Sequence, residues 1–360
     1  MTTSTPPGTD RVTLRNPAQL IAALPYLLGF HPADSLVLLG HRRPGTSIGL
    51  ILRADLPPRE LFAAQADSLV PRFDDEEHMG VTAVVVGGTP DDLGPPYPDF
   101  VDELRRALAE HDLRLFHPLW TAKVEAGARW GCYRDPECGG VLPDPRSTVA
   151  AAAVTKAGFV VYRSREEISA LLEPRSPDAL ARRAALLRRS PEPLSDPEFT
   201  AVASGAPSVP PHRALLDRAA AEVREAFFRH RNGFGPPDDG QAVRLAHALA
   251  LPPIREACLA MAVPVGSPLA REAEEVWLSL VRELPPPHRA EAACLLAYTT
   301  LLRGEGAFAG MAVNNALDAD PRSVLARLLH AVWNSGVEPK RLRGLAVPTG
   351  SVDLGLAGET

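Results

Sequence analysis

The loop Gly29-Phe-His-Pro-Ala-Asp-Ser35 places three chemically useful side chains directly before an apolar run that is typical of a buried strand. His31, Asp34 and Ser35 offer an imidazole, a carboxylate and a hydroxyl, the groups used in acid–base and nucleophilic catalysis. They are the candidate catalytic residues. A structural explanation competes with catalysis, because Gly29 can end a helix while Asp34 or Ser35 forms a turn into the strand. We favour the structural explanation.

Two aspartates, Asp91 and Asp92, follow a valine-rich run that ends at Gly87. A loop after a buried strand can lie at the carboxyl edge of a sheet, where ligands bind in many α/β proteins. Both aspartates are therefore candidate binding residues, although solvated turn residues would explain them as well. The segment has neither Gly-Lys-Ser/Thr nor Gly-x-Gly-x-x-Gly, so it indicates no nucleotide.

The segment Trp130-Gly-Cys-Tyr-Arg-Asp-Pro-Glu-Cys138 supplies an indole and two thiols. Trp130, Cys132 and Cys138 are further candidate binding residues. A zinc site needs four protein ligands, or three and a water, and this stretch contains neither a Cys-x-x-Cys pair nor a histidine. We therefore expect no metal and no other cofactor. A reversible disulfide between Cys132 and Cys138 is the alternative use of the thiols.

The elements that must position these residues fall into two groups. Asn16 and Pro17 are typical of a helix start, and strand-like and helical runs then alternate, which predicts crossover connections and a mixed, partly parallel sheet with flanking helices. This α/β domain is expected over residues 12–189, after a disordered N-terminus at 1–11. A proline-rich linker at 190–211 separates it from an all-α domain at 212–337, and a loose tail occupies 338–360.

Within the helical domain, the small and apolar residues Leu296, Ala297, Ala309 and Ala316 fall at positions expected of a tetratricopeptide-like helix pair. Thr300 stands where an aromatic residue is usual. An ordinary antiparallel helix pair with alanines at the crossing explains the pattern better.

Three segments carry a resemblance to a known family: Asn16 to Gly40, Trp130 to Cys138 and Glu291 to Gly336. They resemble the domain of unknown function 4192 family of actinobacteria. In that family the cysteine segment continues into Cys-Cys-Pro, whereas this chain has Gly139 and Gly140 after Cys138. The resemblance implies domain boundaries and no activity.

The composition of the chain argues against several classes of function. The 360 residues carry a net charge of −6, which argues against nucleic acid and anionic membranes as partners. Four cysteines make no disulfide scaffold and suit a reducing cytoplasm. We expect a cytoplasmic, non-catalytic module that binds a small ligand or a protein. The alternative is an enzyme, hydrolase-like, with a site between the two domains built on the Gly29–Ser35 loop.

Overall fold

The computed structural model describes residues 2–3, 16–43, 47–73, 77–91, 94–189, 210–336, 342 and 352–356. The chain divides into two compact units. The first comprises Met1–Ile168 with Gly304–Ala307 and Trp333–Gly336, and the second comprises Ser169–Arg303, Phe308–Val332 and Val337–Thr360. Within the described ranges, no helix combines the length and the apolar character needed to cross a membrane.

A seven-stranded sheet organises the first unit. The strands are β1 (Thr2–Thr3), β2 (Ser35–Arg42), β3 (Ile48–Asp55), β4 (His78–Val86), β5 (Arg114–Thr121), β6 (Arg129–Cys132) and β7 (Gly139–Val141). Their spatial order is β1-β3-β2-β4-β5-β6-β7, and β4 and β5 are the one parallel pair among the described strands. The predicted mixed sheet with flanking helices is confirmed.

Five helices belong to this part of the chain: α1 (Pro17–Leu28), α2 (Phe62–Leu69), α3 (Pro98–Glu110), α4 (Val149–Lys156) and α5 (Arg165–Leu171). Helix α1 begins as the sequence indicates, because the Asn16 side chain accepts a hydrogen bond from the Gln19 amide at 2.8 Å. It ends at Gly29, whose φ of 83° is left-handed and whose N–H donates to the Pro25 carbonyl. Glycine adopts that conformation at little steric cost.

The sheet is covered on both faces. Alternate strand residues such as Leu36, Val81 and Val85 pack with α2 and α3 in one continuous core, in which Phe62 stacks on Phe100 with ring centroids 4.9 Å apart. The intervening residues of the same strands point to the opposite face, because side chains alternate along a strand. Helix α1 contacts β3 and α4.

The second unit is helical. Its elements are α6 (Pro177–Arg189), α7 (Pro210–Arg231), α8 (Asp239–Ala250), α9 (Pro252–Ala260), α10 (Pro268–Glu283), α11 (Arg289–Arg303) and most of α12 (Gly306–Ala319) and α13 (Val324–Ser335). Phe227 of α7 meets Trp277 of α10 edge to face at 5.6 Å. Aromatic pairs in this geometry stabilise a core beyond the area that they bury. The predicted helical C-terminal half is confirmed.

The structure describes only parts of the predicted N-terminal, linker and tail segments. Thr2 and Thr3 pair with Leu52 and Ile51, and the expected disorder of residues 1–11 stays a prediction. The rest of residues 1–11, residues 190–209 of the expected linker and most of the tail lie outside the described residues. Leu296, Ala297, Ala309 and Ala316 are all fully buried. The tetratricopeptide-like geometry of their helix pair stays a prediction.

The division into units falls between Ile168 and Ser169, earlier than the proline-rich segment suggests. The physical reason is Arg183 of α6, which is 4% exposed. Its guanidinium donates to the Asp239 carboxylate at 2.9 Å, to the Pro237 carbonyl at 2.8 Å, and to both the carboxylate and the carbonyl of Glu283. Helix α6 is thereby fixed to α8 and α10.

Replacing Arg183 with Met should destabilise the helical unit by about 3–5 kcal/mol, because the buried Glu283 carboxylate would lose its hydrogen-bonded guanidinium and would be left with the more distant Arg175, whose Nε lies 3.8 Å away. The measurement is chemical denaturation followed by circular dichroism. Arg182→Met is the matched control, since Arg182 is mostly exposed and pairs with the same Asp239. The Arg182→Met variant should change the free energy of unfolding only slightly. Equal losses in the two variants would contradict the role of the buried pair.

Candidate functional site

The loop from Gly29 to Ser35 holds the three candidate catalytic residues, and the structure gives each a local position. The His31 side chain is exposed, and its backbone N–H donates to the Tyr162 carbonyl at 3.1 Å. Asp34 has a left-handed φ of 42°, and its carbonyl accepts from Leu56 N–H at 2.9 Å. The three residues thus occupy a turn between α1 and β2.

Ser35 is fully buried and its hydroxyl is engaged in two directions. It donates to the Ala33 carbonyl at 2.6 Å and accepts from Arg53 Nε at 2.8 Å. A nucleophilic serine needs its proton directed at a base, whereas this proton is directed at a backbone carbonyl. Ser35 therefore has a structural role. Its hydroxyl fixes the side chain of the partly buried Arg53 of β3.

The second loop, after β4, lies against the first. A Cβ built on Gly87 would come within 2.7 Å of Asp34 Oδ1, and Gly87 has a φ of 123°, so only glycine fits here. Asp91 is exposed and exchanges backbone hydrogen bonds with Gly94 in a tight turn. Asp92 lies outside the described residues.

The β6–β7 hairpin brings together the remaining candidates. Trp130 pairs with Gly140 and Gly131 with Gly139, so the register extended by one residue places Cys138 opposite Cys132. The turn between them is fixed by the Cys138 N–H, which donates to the Asp135 carbonyl at 3.0 Å. Trp130 and Cys132 share a face of β6 because they are two residues apart. Both thiols are free.

Strand β5 adds a histidine to this face through a shift in register. Leu115 pairs with Val81, but the next pair along β4 joins Thr82 to His117, which leaves Phe116 as an extra residue. In a regular strand Leu115 and His117 would share a face. Here Leu115 enters the core beneath α2 and α3, while His117 joins Thr82 on the opposite face. Irregularities of this kind redirect side chains, often beside functional sites.

His117 consequently meets both cysteines. Leu119 pairs with Cys132, so Cys132 lies diagonally across from His117 on one face of the sheet. His117 Nε2 is 3.8 Å from Cys138 Sγ, and one ligand atom from each of the three residues lies within 4.8 Å of the others. The expectation that the thiols have no histidine partner is wrong. No sequence motif signals His117, which lies 15 residues before Cys132 along the chain.

Burial and charge shape the His117–Cys132–Cys138 cluster. Cys132 is buried, whereas His117 and Cys138 are half-buried. Desolvation lowers the pKa of His117, and the nearby Arg134 guanidinium lowers it further, so the imidazole is neutral and able to act as a ligand at pH 7. Desolvation, followed by the neighbouring Cys132, raises the pKa of Cys138. A neutral Cys138 thiol beside a neutral imidazole makes a poor nucleophilic pair.

A second concave feature lies wholly within the helical unit. This cavity of about 370 Å³ is formed by residues of α7, α8 and α10 and by the loops beside them. Small-molecule sites in proteins have volumes of about 300–1,000 Å³ and mainly apolar walls with a few polar groups. The apolar part of the wall comes from Ala226, Pro237, Leu245, Val276, Leu278 and Leu280. No residue pattern in the sequence points to this cavity, because its lining comes from distant segments.

The charged residues that line the helical cavity differ in how many ion-pair or hydrogen-bond partners they have. Glu222 pairs with Arg244 at 2.8 Å, and Glu275 pairs with His230 at 3.0 Å. The Arg229 guanidinium contacts Phe234 in two ways: one terminal nitrogen donates to the Phe234 carbonyl at 3.3 Å, and Cζ lies 5.8 Å from the centre of the Phe234 ring. Its buried Nε has no acceptor among the described residues. A buried N–H of this kind is costly unless a ligand or water accepts from it.

The family model described as domain of unknown function (DUF4192) matches residues 17–340, nearly the whole chain. The chain belongs to this family. No curated protein and no solved structure matches it. The DUF4192 match covers α1, the β6–β7 hairpin, the His117 cluster and the helical cavity, and it assigns no role to any of them.

Two substitutions test the structural reading of the Gly29–Ser35 loop. Ser35→Ala should destabilise the α/β unit by about 1–3 kcal/mol, because Arg53 Nε loses its hydroxyl acceptor in a buried position. His31→Asn should leave the melting temperature nearly unchanged, since the imidazole is exposed. Calorimetric melting of the two variants checks both expectations. A larger loss from His31→Asn than from Ser35→Ala would contradict the structural role.

Proposed function

We propose that this protein is a non-catalytic binding protein whose helical unit holds a small organic anion. The observation that carries the proposal is the helical cavity with Arg229 on its wall. Its volume suits a small molecule, its walls are mainly apolar, and a buried guanidinium N–H has no acceptor within the described part of the chain. A ligand with an apolar body and one carboxylate or sulfonate satisfies both the walls and the guanidinium.

Charge within the helical cavity favours an anion over a cation. Three arginines line it, namely Arg175, Arg229 and Arg282, together with three glutamates. Glu222 pairs with Arg244, and Glu275 contacts His230. Arg175 pairs with Glu283 at 3.8 Å, and Arg282 Nε donates to the Glu173 carbonyl. Among the described residues, Arg229 and Arg282 are therefore the lining arginines that have no carboxylate partner, and Arg229 also has a buried N–H without an acceptor. Hydrogen bonds from guanidinium to a carboxylate or sulfonate are stronger than those between neutral groups.

The alternative, an enzyme built on the Gly29–Ser35 loop, has weaker support. His31 is exposed, the Asp34 backbone serves a left-handed turn, and the Ser35 hydroxyl is bonded to a carbonyl and to Arg53. Each of these positions has a structural purpose. The proposed compartment is a reducing cytoplasm, for which the four free cysteines are suited. An actinobacterial source rests on the sequence resemblance alone.

The test uses anilinonaphthalene sulfonate, a fluorescent aromatic anion, as the probe for the helical cavity. The full-length protein should bind it with enhanced fluorescence. Ala226→Phe should abolish most of this signal, because the new ring fills the cavity. Ala221→Phe is the matched control, since Ala221 lies on the same helix, is exposed and does not line the cavity. Equal binding by the two variants would overturn the proposal.

The role of charge is tested separately with the same probe. Arg229→Gln should weaken probe binding by about tenfold, corresponding to one charge-assisted hydrogen bond. Arg224→Gln, an exposed arginine on the same helix, should leave the affinity unchanged. If Arg229→Gln binds the sulfonate as tightly as the parent protein, the cavity selects its ligand by apolar contact and the anion specificity is wrong.

A further inference from the structure

The cluster of His117, Cys132 and Cys138 offers two sulfur ligands and one imidazole in the α/β unit. Thiolate and imidazole donors together suit zinc and other thiophilic transition metals such as copper and iron, whereas magnesium and calcium prefer oxygen. This donor set is therefore chemically specific.

The distances within the cluster suit tetrahedral coordination. Bonds of about 2.3 Å to sulfur and about 2.0–2.1 Å to nitrogen place neighbouring donor atoms roughly 3.5–3.8 Å apart around a tetrahedral zinc ion. His117 Nε2 and Cys138 Sγ are 3.8 Å apart, and all three donor atoms lie within 4.8 Å of one another. Small side-chain rotations would bring Cys132 Sγ to the same spacing.

The backbone holds these three residues in place before any metal arrives. His117 and Cys132 lie on paired strands, and Cys138 lies immediately before β7, where the register extended by one residue places it opposite Cys132. The turn that joins the cysteines is anchored by Arg134, whose guanidinium donates to the Phe116 carbonyl at 3.1 Å and to the Leu115 carbonyl. The same arginine thus ties the cysteine turn to the irregular segment of β5 that redirects His117.

We infer that His117, Cys132 and Cys138 form a zinc site with three protein ligands and an open fourth position. In the described part of the chain these three residues form one group of potential metal ligands, without a fourth member. His117 and Cys138 are half-buried, so solvent can reach the fourth position. Three protein ligands plus water is the arrangement found where zinc exchanges ligands, whereas four protein ligands are typical of purely structural zinc.

This inference reverses the expectation drawn from cysteine spacing alone. Two cysteines in one segment are too few for zinc, but the shift in register at Phe116 supplies the third ligand from another strand. The competing use of the thiols is a disulfide between Cys132 and Cys138. A disulfide would remove both thiolate ligands, so the two states exclude each other and can be told apart by one set of measurements.

The test uses the full-length protein, reduced, stripped of metal with a chelator and titrated with Co²⁺, a coloured substitute for zinc. One Co²⁺ per chain should bind, with thiolate-to-cobalt charge-transfer absorption and the intense visible bands of tetrahedral cobalt. Stoichiometric Zn²⁺ should displace it. Cys132→Ala and Cys138→Ala should each lower the affinity by about 100-fold or more, since first-shell ligands matter at least as much as the second-shell groups whose loss costs 10–100-fold.

Matched controls separate ligand loss from loss of fold. Cys258→Ala removes a buried cysteine of the helical unit, and His31→Asn removes an exposed histidine of the α/β unit; both should keep the cobalt spectrum. His117→Ala should weaken binding while the charge-transfer bands persist. Near-ultraviolet circular dichroism checks the fold of each variant. Because Cys138 is half-buried, Cys138→Ala should disturb the packing of the unit little.

Alkylation gives an independent readout that does not depend on any variant. In the reduced protein, Zn²⁺ should protect Cys132 and Cys138 from iodoacetamide, and Mg²⁺ should not. Three results would overturn the inference: cobalt binding without charge-transfer absorption, an unchanged cobalt affinity in Cys138→Ala, or equal alkylation of Cys138 with and without Zn²⁺. A Cys132–Cys138 disulfide that forms even in zinc-saturated protein would also overturn it.

Discussion

The parallel pairing of β4 with β5 is the interaction on which the α/β unit depends. Parallel neighbours require a crossover, and α3 supplies it while covering one face of the sheet. This pairing also leaves the far edge of β5 open to β6, and so determines where the cysteine hairpin can attach. The register irregularity at Phe116 lies within the same pairing, and it directs Leu115 to the core and His117 to the cysteines.

Local signals in the sequence predicted the elements well, because they depend on residues a few positions apart. The Asn16 cap and the left-handed Gly29 are examples, since each is decided within one helical turn. The mixed sheet also follows from alternating strand and helix patterns. The position of His117 could not be predicted in this way. A single extra residue in β5 reverses the face of every later side chain, and no residue type marks where such a shift occurs.

The boundary between the two units is likewise decided by residues that lie far apart in the sequence. Prolines after Arg189 suggest a break, but the membership of α6 is decided by Arg183, whose partners Asp239 and Glu283 lie 56 and 100 residues away. A buried guanidinium requires several acceptors, and only the folded chain can supply them together. The helical cavity is equally hidden in the sequence, because its lining residues come from segments between Arg175 and Arg282.

The two units carry different chemical groups: soft metal ligands at the β5–β6–β7 edge, and an arginine-bearing cavity among α7, α8 and α10. The role of His117 as a ligand is the most specific claim, and X-ray absorption spectroscopy of the zinc-loaded protein tests it most directly. The account predicts two sulfur neighbours at about 2.3 Å and nitrogen or oxygen neighbours at about 2.0–2.1 Å. A shell made only of oxygen and nitrogen, or of four sulfurs, would contradict it.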